Sequence, residues 1–215
     1  NMISDYAAIK NGSYGKLMKA YYAKQDAEKL SGKGDTSQKL TLMKTSADSL
    51  KKSADALNDS SLWEKKKIKK KDEKTGEEIE VEDYDWDKIT KAVKSFVEDY
   101  NDVVKEAGES NTKDVLRNAS WMTGMTDKNS NMLAKIGITI GKGNKLELDE
   151  DALKQADISS LKTVFTGYNS FVSKISQKAT GISNAANRAS ATYTNNGTYS
   201  KTDSSLTSSK IDKEV

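Results

Sequence analysis

The chain has 215 residues, 35% of them apolar and 31% charged, with a net charge of +3. It contains no Cys, Pro or His, so the usual zinc, haem and thiol-nucleophile sites cannot be built and the commonest general base is missing. The small net charge gives no reason to expect nucleic acid, and no segment approaches the ~20 apolar residues of a membrane span.

A thin apolar fraction with many charges suits helices that each bury only a stripe. The missing Pro has two readings that composition does not separate. One is plain helix-rich usage; the other is a chain that threads unfolded and refolds as long helices. No basic, apolar leader opens the sequence, so no ordinary signal peptide is expected, and the start at Asn1-Met2 leaves open an excerpt of a longer chain.

Residues 3–30 are helical in outline but broken at Asn11-Gly12-Ser13, after which Tyr14, Leu17, Met18, Tyr21 and Tyr22 form an aromatic stripe. Residues 1–38 are therefore expected to be a separate N-terminal helical segment. The first unbroken 3-4 spacing follows at Leu40, Met43, Ala47, Leu50, Ala54 and Leu57, with Thr36 or Ser37 as N-cap. Residues 65–83, KKKIKKK-DEKTG-EEIEVED, read as a hairpin turning at Gly76. With Asp72 opposite Glu77, the register pairs Lys71 with Glu78, Lys69 with Glu80, Ile68 with Val81 and Lys67 with Glu82.

The second helix carries Trp86, Ile89, Val93, Phe96, Tyr100, Val103 and Ala107, capped by Asp85 and ended by Gly108. Two short helices are expected over 114–122 and 127–135, broken near Gly124. A second hairpin, 136–140 with 145–148 around Gly141-Lys142-Gly143-Asn144, leads into a helix capped by Asp149. The last apolar series runs Leu161, Phe165, Tyr168, Val172, Ile175, Ala179, Ile182, Ala186, Ala189, Tyr193. Started by Asp157 or Ser159, it predicts one helix ~50 Å long. From Thr194 the chain turns to Thr, Ser, Asn, Gly and Lys, and residues 194–215 are expected to be a polar, flexible tail.

Each candidate site has a plainer explanation. The lysine run at residues 65–71 could bind an anionic surface, but the acidic second strand of its hairpin neutralises most of it. Gly141-Lys142-Gly143 lacks the Walker spacing and the helix that should follow, so a hairpin turn accounts for its glycines. Asp149, Glu150 and Asp151 are consecutive, whereas a calcium loop alternates its ligands; a helix N-terminus explains them. Trp86, Phe96, Tyr100, Phe165, Tyr168 and Tyr193 fall on helical seams, as core residues do, while Trp63 and Trp121 lie near helix ends. A carboxylate pair for glycoside hydrolysis would need a cleft beside one of those two tryptophans. No catalytic residue, cofactor site or metal site is assigned, and the chain is not expected to be an enzyme.

Several motifs have a familiar order: Ile136-Gly137-Ile138-Thr139, then Leu146-x-Leu148-Asp149, then Leu153, then Val164-Phe165-x-Gly167. Upstream stand Phe96-Val97-x-x-Tyr100-Asn101 and Val115-Leu116-Arg117. Together, over about residues 93 to 167, they resemble the C-terminal region of the flagellar hook-associated protein 2 family, the filament cap. The chain departs from the family pattern at Asn118, and a short charged hairpin stands where a full cap protein carries large β-rich head domains. The resemblance implies a structural, extracellular protein of the flagellum or cell surface. It would be exported through the flagellar channel, form homo-oligomers, and contact its own subunits, flagellin or hook-associated proteins.

The expected architecture is mainly α, an elongated helical bundle or coiled coil over residues 39–193 with two small β-hairpins at 65–83 and 136–148. Leu161, Phe165, Tyr168, Val172 and Ile175 should bury within the subunit. The Ala-rich stretch Ala179, Ile182, Ala186, Ala189 and Tyr193 is expected to serve a partner interface, because small side chains allow close helix approach. The alternative is a secreted helical surface protein that binds carbohydrate or another bacterial surface component.

Overall fold

The computed structural model describes residues 34–72 and 75–192. The Tyr-rich stripe at 14–22, residue Tyr193 and the polar tail lie outside the described residues. In chain order the elements are α1 (Ser37–Asn58), a 3-10 turn (Ser60–Trp63), β1 (Lys66–Lys71), β2 (Glu78–Asp83), α2 (Trp86–Gly108), α3 (Lys113–Lys128) and α4 (Ser130–Ala134). Then come β3 (Ile138–Ile140), a 3-10 turn (Lys142–Asn144), β4 (Leu146–Leu148), α5 (Glu150–Gln155), α6 (Ile158–Phe165) and α7 (Phe171–Thr192). The fold is mainly α with two small antiparallel hairpins.

Local chemistry sets the helix starts. Thr36 accepts from the Lys39 amide at 3.2 Å, Asp85 from Lys88 at 3.2 Å, and Asp157 from Ser160 at 3.2 Å. Each satisfies one amide of a first turn that has no intrahelical partner. Helix α2 runs from Trp86 to Gly108, as its cap and terminal glycine predict.

α7 packs along α1 on one side and against α3 on the other; α1 also packs on α2, and α2 touches α3. The 3-4 spaced residues of α1 and the Ile89, Val93, Phe96, Tyr100, Val103 and Ala107 series of α2 are all buried. Trp86, at the start of that second series, is only half-buried. Phe96 sits among aromatic rings, 6.3 Å from Phe171, 6.5 Å from Phe165 and 6.3 Å from Tyr100 between centroids. Trp63 stacks on Phe165 at 5.4 Å and donates its indole N–H to the Leu57 carbonyl at 2.8 Å.

Three expectations are corrected. The last apolar series is two helices, because Gly167 takes φ 97° and Ser170 opens a new helix by accepting from the Ser173 amide at 3.1 Å. Tyr168 therefore falls in the corner between α6 and α7 and is 82% exposed, while Leu161, Phe165, Val172 and Ile175 are buried. The break expected at Gly124 is absent: α3 continues to Lys128. Glycine costs a helix only about 1 kcal/mol, and the neighbouring Ala119, Met122, Thr123 and Thr126 are buried. The chain breaks instead at Asn129, whose side-chain Nδ2 donates to the Met125 carbonyl at 2.7 Å. Finally, the strands of the second hairpin are shorter than expected, three residues each.

Candidate functional site

The second hairpin forms the centre of a clasp that joins α2, α4 and α5. Ile136, Ile138 and Leu146 are buried in the common core, and the strands pair Ile138 with Leu148 and Ile140 with Leu146. Asn101 of α2 reaches the hairpin with both ends of its amide. Its nitrogen donates to the Leu146 carbonyl at 2.9 Å and its oxygen accepts from the Leu146 amide at 2.7 Å. The side chain thus stands in for a neighbouring strand at an open sheet edge. One residue earlier, Tyr100 is fully buried and donates its hydroxyl to Thr126 Oγ1 at 2.9 Å. Burial pushes the Tyr100 hydroxyl pKa well up, so it stays a donor.

Gly137 explains the glycine of the Ile136-Gly137-Ile138 motif. It has φ 79°, and a Cβ there would lie 2.6 Å from the Asp149 carbonyl oxygen and 2.8 Å from the Leu153 amide nitrogen. Its own carbonyl accepts from the Asp149 amide at 2.8 Å. Asp149 then caps α5 by accepting from the amides of Asp151 and Ala152 at 3.0 and 2.9 Å. The three consecutive acids are a helix start. The Gly141-Lys142-Gly143-Asn144 turn closes through the Gly141 amide and the Lys145 carbonyl at 2.8 Å, with Gly143 at φ 75° and Asn144 at φ 65°. Among the described residues no group of three acids or other metal-ligating side chains is positioned to hold a metal ion.

The expected partner seam lies elsewhere, on α7. Ala179, Ile182 and Ala186 are buried, Ala189 is half-buried, and Tyr193 is not described. For the three buried residues the expectation of a free face is corrected: they are enclosed within the chain, where α7 packs along α1. The close approach that alanine permits is spent within the chain.

Two polar rungs beside that seam escaped the sequence reading. Ser183 donates to Asp48 and Ser176 to Asp55, each at 2.6 Å. Lys44 also bonds Asp48 at 2.5 Å, and Lys51 bonds Asp55. For both acids burial is the largest influence and raises the pKa, but the lysine and serine bonds together hold it below the usual carboxylate value. The signal was a seven-residue echo in both helices: Lys44 and Asp48 recur as Lys51 and Asp55, and Ser176 recurs as Ser183.

Asp35 is a third unread feature. Its side chain is 2% exposed. It accepts from Ser110 Oγ at 2.6 Å, Thr112 Oγ1 at 2.7 Å and the amides of Asn111 and Thr112 at 2.9 Å. Burial raises its pKa and these four donors more than reverse that, leaving it lowered. The start of α1 is thereby fixed to the loop between α2 and α3.

The outer surface holds the remaining candidates. β1 and β2 pair Lys71 with Glu78, Lys69 with Glu80, Ile68 with Val81 and Lys67 with Glu82, the register expected from charge. Trp121 lies in mid-helix on α3 rather than near a helix end. It is 64% exposed, with Lys178 Nζ 4.9 Å from its ring centroid. Trp63, the other tryptophan considered for a carbohydrate cleft, is 1% exposed and offers no open face.

Residues 110–214 match the family model described as flagellar hook-associated protein 2 C-terminus. No curated protein and no solved structure matches the chain. The matched span covers the clasp from α3 through α7; the Phe96–Asn101 motif precedes it, although Tyr100 and Asn101 bond to Thr126 and Leu146 inside it. Over residues 110–214, just under half of its length, the chain is similar to the flagellar hook-associated protein 2 C-terminal family.

Proposed function

We propose that this protein is a structural, cap-like component of the bacterial flagellum that self-assembles and contacts flagellin or hook-associated subunits through its helices. The observation that carries this reading is the coincidence of the family match with the α3–hairpin–α7 clasp. A rigid clasp of this kind holds helices at fixed angles, which suits an assembly subunit. In this reading the protein works outside the cell, is not an enzyme and needs no cofactor. Its partner contacts include Ala189, near the end of α7, and Tyr193, which follows that helix in the sequence. No described helix is long and apolar enough to cross a membrane.

The test is direct. The purified chain is mixed with monomeric flagellin from the same source and followed by sedimentation velocity and by capping of filament growth. Association with flagellin or with itself, together with flagellar genes beside its own, is the expected result. A chain that stays monomeric, ignores flagellin and lies far from every flagellar gene cluster would leave only the helical fold standing.

A further inference from the structure

The charged hairpin β1–β2 has no place in the clasp. Among the described residues it is a two-stranded sheet with both strands at an edge. The Asp72 amide donates to the Glu77 carbonyl at 2.9 Å. That makes this pair a hydrogen-bonded one, and antiparallel alternation then fixes the rest. Residues 70 and 79, 68 and 81, and 66 and 83 face inward across the ribbon. Lys67, Lys69 and Lys71 turn their amides and carbonyls outward along one edge; Glu78, Glu80 and Glu82 do so along the other. Those six side chains share one face and are exposed. Within the hairpin Lys69 reaches Glu78 at 3.7 Å. Among the described residues Lys67, Lys71, Glu80 and Glu82 form no ion pair within 4 Å.

We propose that this hairpin is a strand-pairing contact between copies of the chain, in which the basic β1 edge of one copy pairs with the acidic β2 edge of the next. The charge pattern selects this occupant. Pairing β1 with a second β1 sets lysine against lysine, and β2 with β2 sets glutamate against glutamate, both unfavourable. Pairing β1 with a neighbour's β2 places Lys67, Lys69 and Lys71 opposite Glu82, Glu80 and Glu78 in the fully aligned register, and a slip by two residues loses one of the three pairs. Charged edges usually discourage strand addition; here each edge repels its own kind and fits the other. The contact is head-to-tail, so repeated rotation closes it into a ring or extends it as a helix. One six-residue strand pair is small, so the contact is weak alone and gains strength on closure.

This deepens the assembly reading above and rests on it, yet the two can fail separately. The chain has no cysteine, so single thiols can be placed cleanly. Full-length Lys69→Cys and Glu80→Cys proteins, one carrying a size tag, are mixed and oxidised at low salt. Mixed dimers should exceed the two like dimers by about tenfold, the product of the two charge pairs that remain and of the like-charge repulsion avoided, and the excess should vanish in 1 M salt, where the Debye length is about 3 Å. A second variant, Glu80→Pro, removes one outward amide while leaving the inward bonds of β2 intact, and should reduce wild-type self-association in sedimentation velocity. Like and mixed dimers in statistical proportion, or assembly untouched by Glu80→Pro, would overturn the hairpin contact alone. A wild-type chain that stays monomeric at low salt would overturn both readings.

Discussion

Asn101 on α2 is hydrogen-bonded twice to the backbone of Leu146 on β4, a residue 45 positions away in sequence. This pair is what ties the hairpin to the long helix, because β4 is only three residues long and has β3 on one side alone. A helix and a sheet edge rarely satisfy one another through backbone groups; a side-chain amide is the smallest device that presents both a donor and an acceptor.

Asn101→Ala should therefore leave the Leu146 amide and carbonyl without partners and cost about 2–3 kcal/mol. Urea unfolding measures the loss, and hydrogen exchange should show faster opening of Leu146 than of α1 or α7. Equal protection across the chain would show that the hairpin is held by its apolar residues instead.

Two glycines with almost the same φ, 79° at Gly137 and 75° at Gly143, separate strain from collision. Gly143→Ala, at φ 75° with open space around it, should cost only the left-handed penalty, about 1–2 kcal/mol. Gly137→Ala adds a collision with the backbone at Asp149 and Leu153, and about 3–5 kcal/mol is expected. Similar unfolding midpoints for the two variants would mean that the α5 start can retreat.

The stability of the bundle should be insensitive to pH from about 5 to 8 and fall below about pH 4. The sign follows from Asp35, Asp48 and Asp55, whose carboxyls are all held below the ordinary value in the fold. Their stabilisation is complete above the unfolded pKa and is lost as pH drops through the folded one. Asp35→Asn should lower stability at neutral pH by about 1–3 kcal/mol and flatten part of the acid-side slope. Thermal melts from pH 2.5 to 8 on wild type and variant provide the check.

Ala186→Leu tests where the alanine seam is used. Inside the α1–α7 contact the larger side chain must force the helices apart, at about 1–3 kcal/mol. On an open face the same change would leave the melting temperature of the isolated chain unmoved.

Features governed by neighbouring residues were legible in the sequence. Asp85, Asp149 and Asp157 name their helices, and the strand register of β1 with β2 follows from placing Lys beside Glu and Ile68 beside Val81. Reading stopped where a choice depended on distant partners. Gly124 and Gly167 look alike in sequence, yet one lies within a helix and the other ends one. The difference is tertiary: α3 is held by buried residues on both sides of Gly124, while the Gly167 amide donates to Asn58 of α1 at 2.8 Å. Ser170 and Ser173 together carried the missed signal of a new helix start. For the candidate site, the clasp was visible as motif spacing, but the roles of Asn101 and Gly137 required the fold. The fate of Ala179 and Ala186 did too, since small residues permit contact without naming the contact partner.

The hairpin β1–β2 leaves and re-enters the bundle at one point, for Lys66 pairs with Asp83 at its base. Neighbouring backbone positions in such a pair lie about 5.5 Å apart, a gap that many loops or whole domains could bridge. The base is thus a socket. Whatever is plugged into it can grow, shrink or change chemistry while the helices beneath keep their packing, so evolution or an engineer could alter what the subunit displays without redesigning what it stands on.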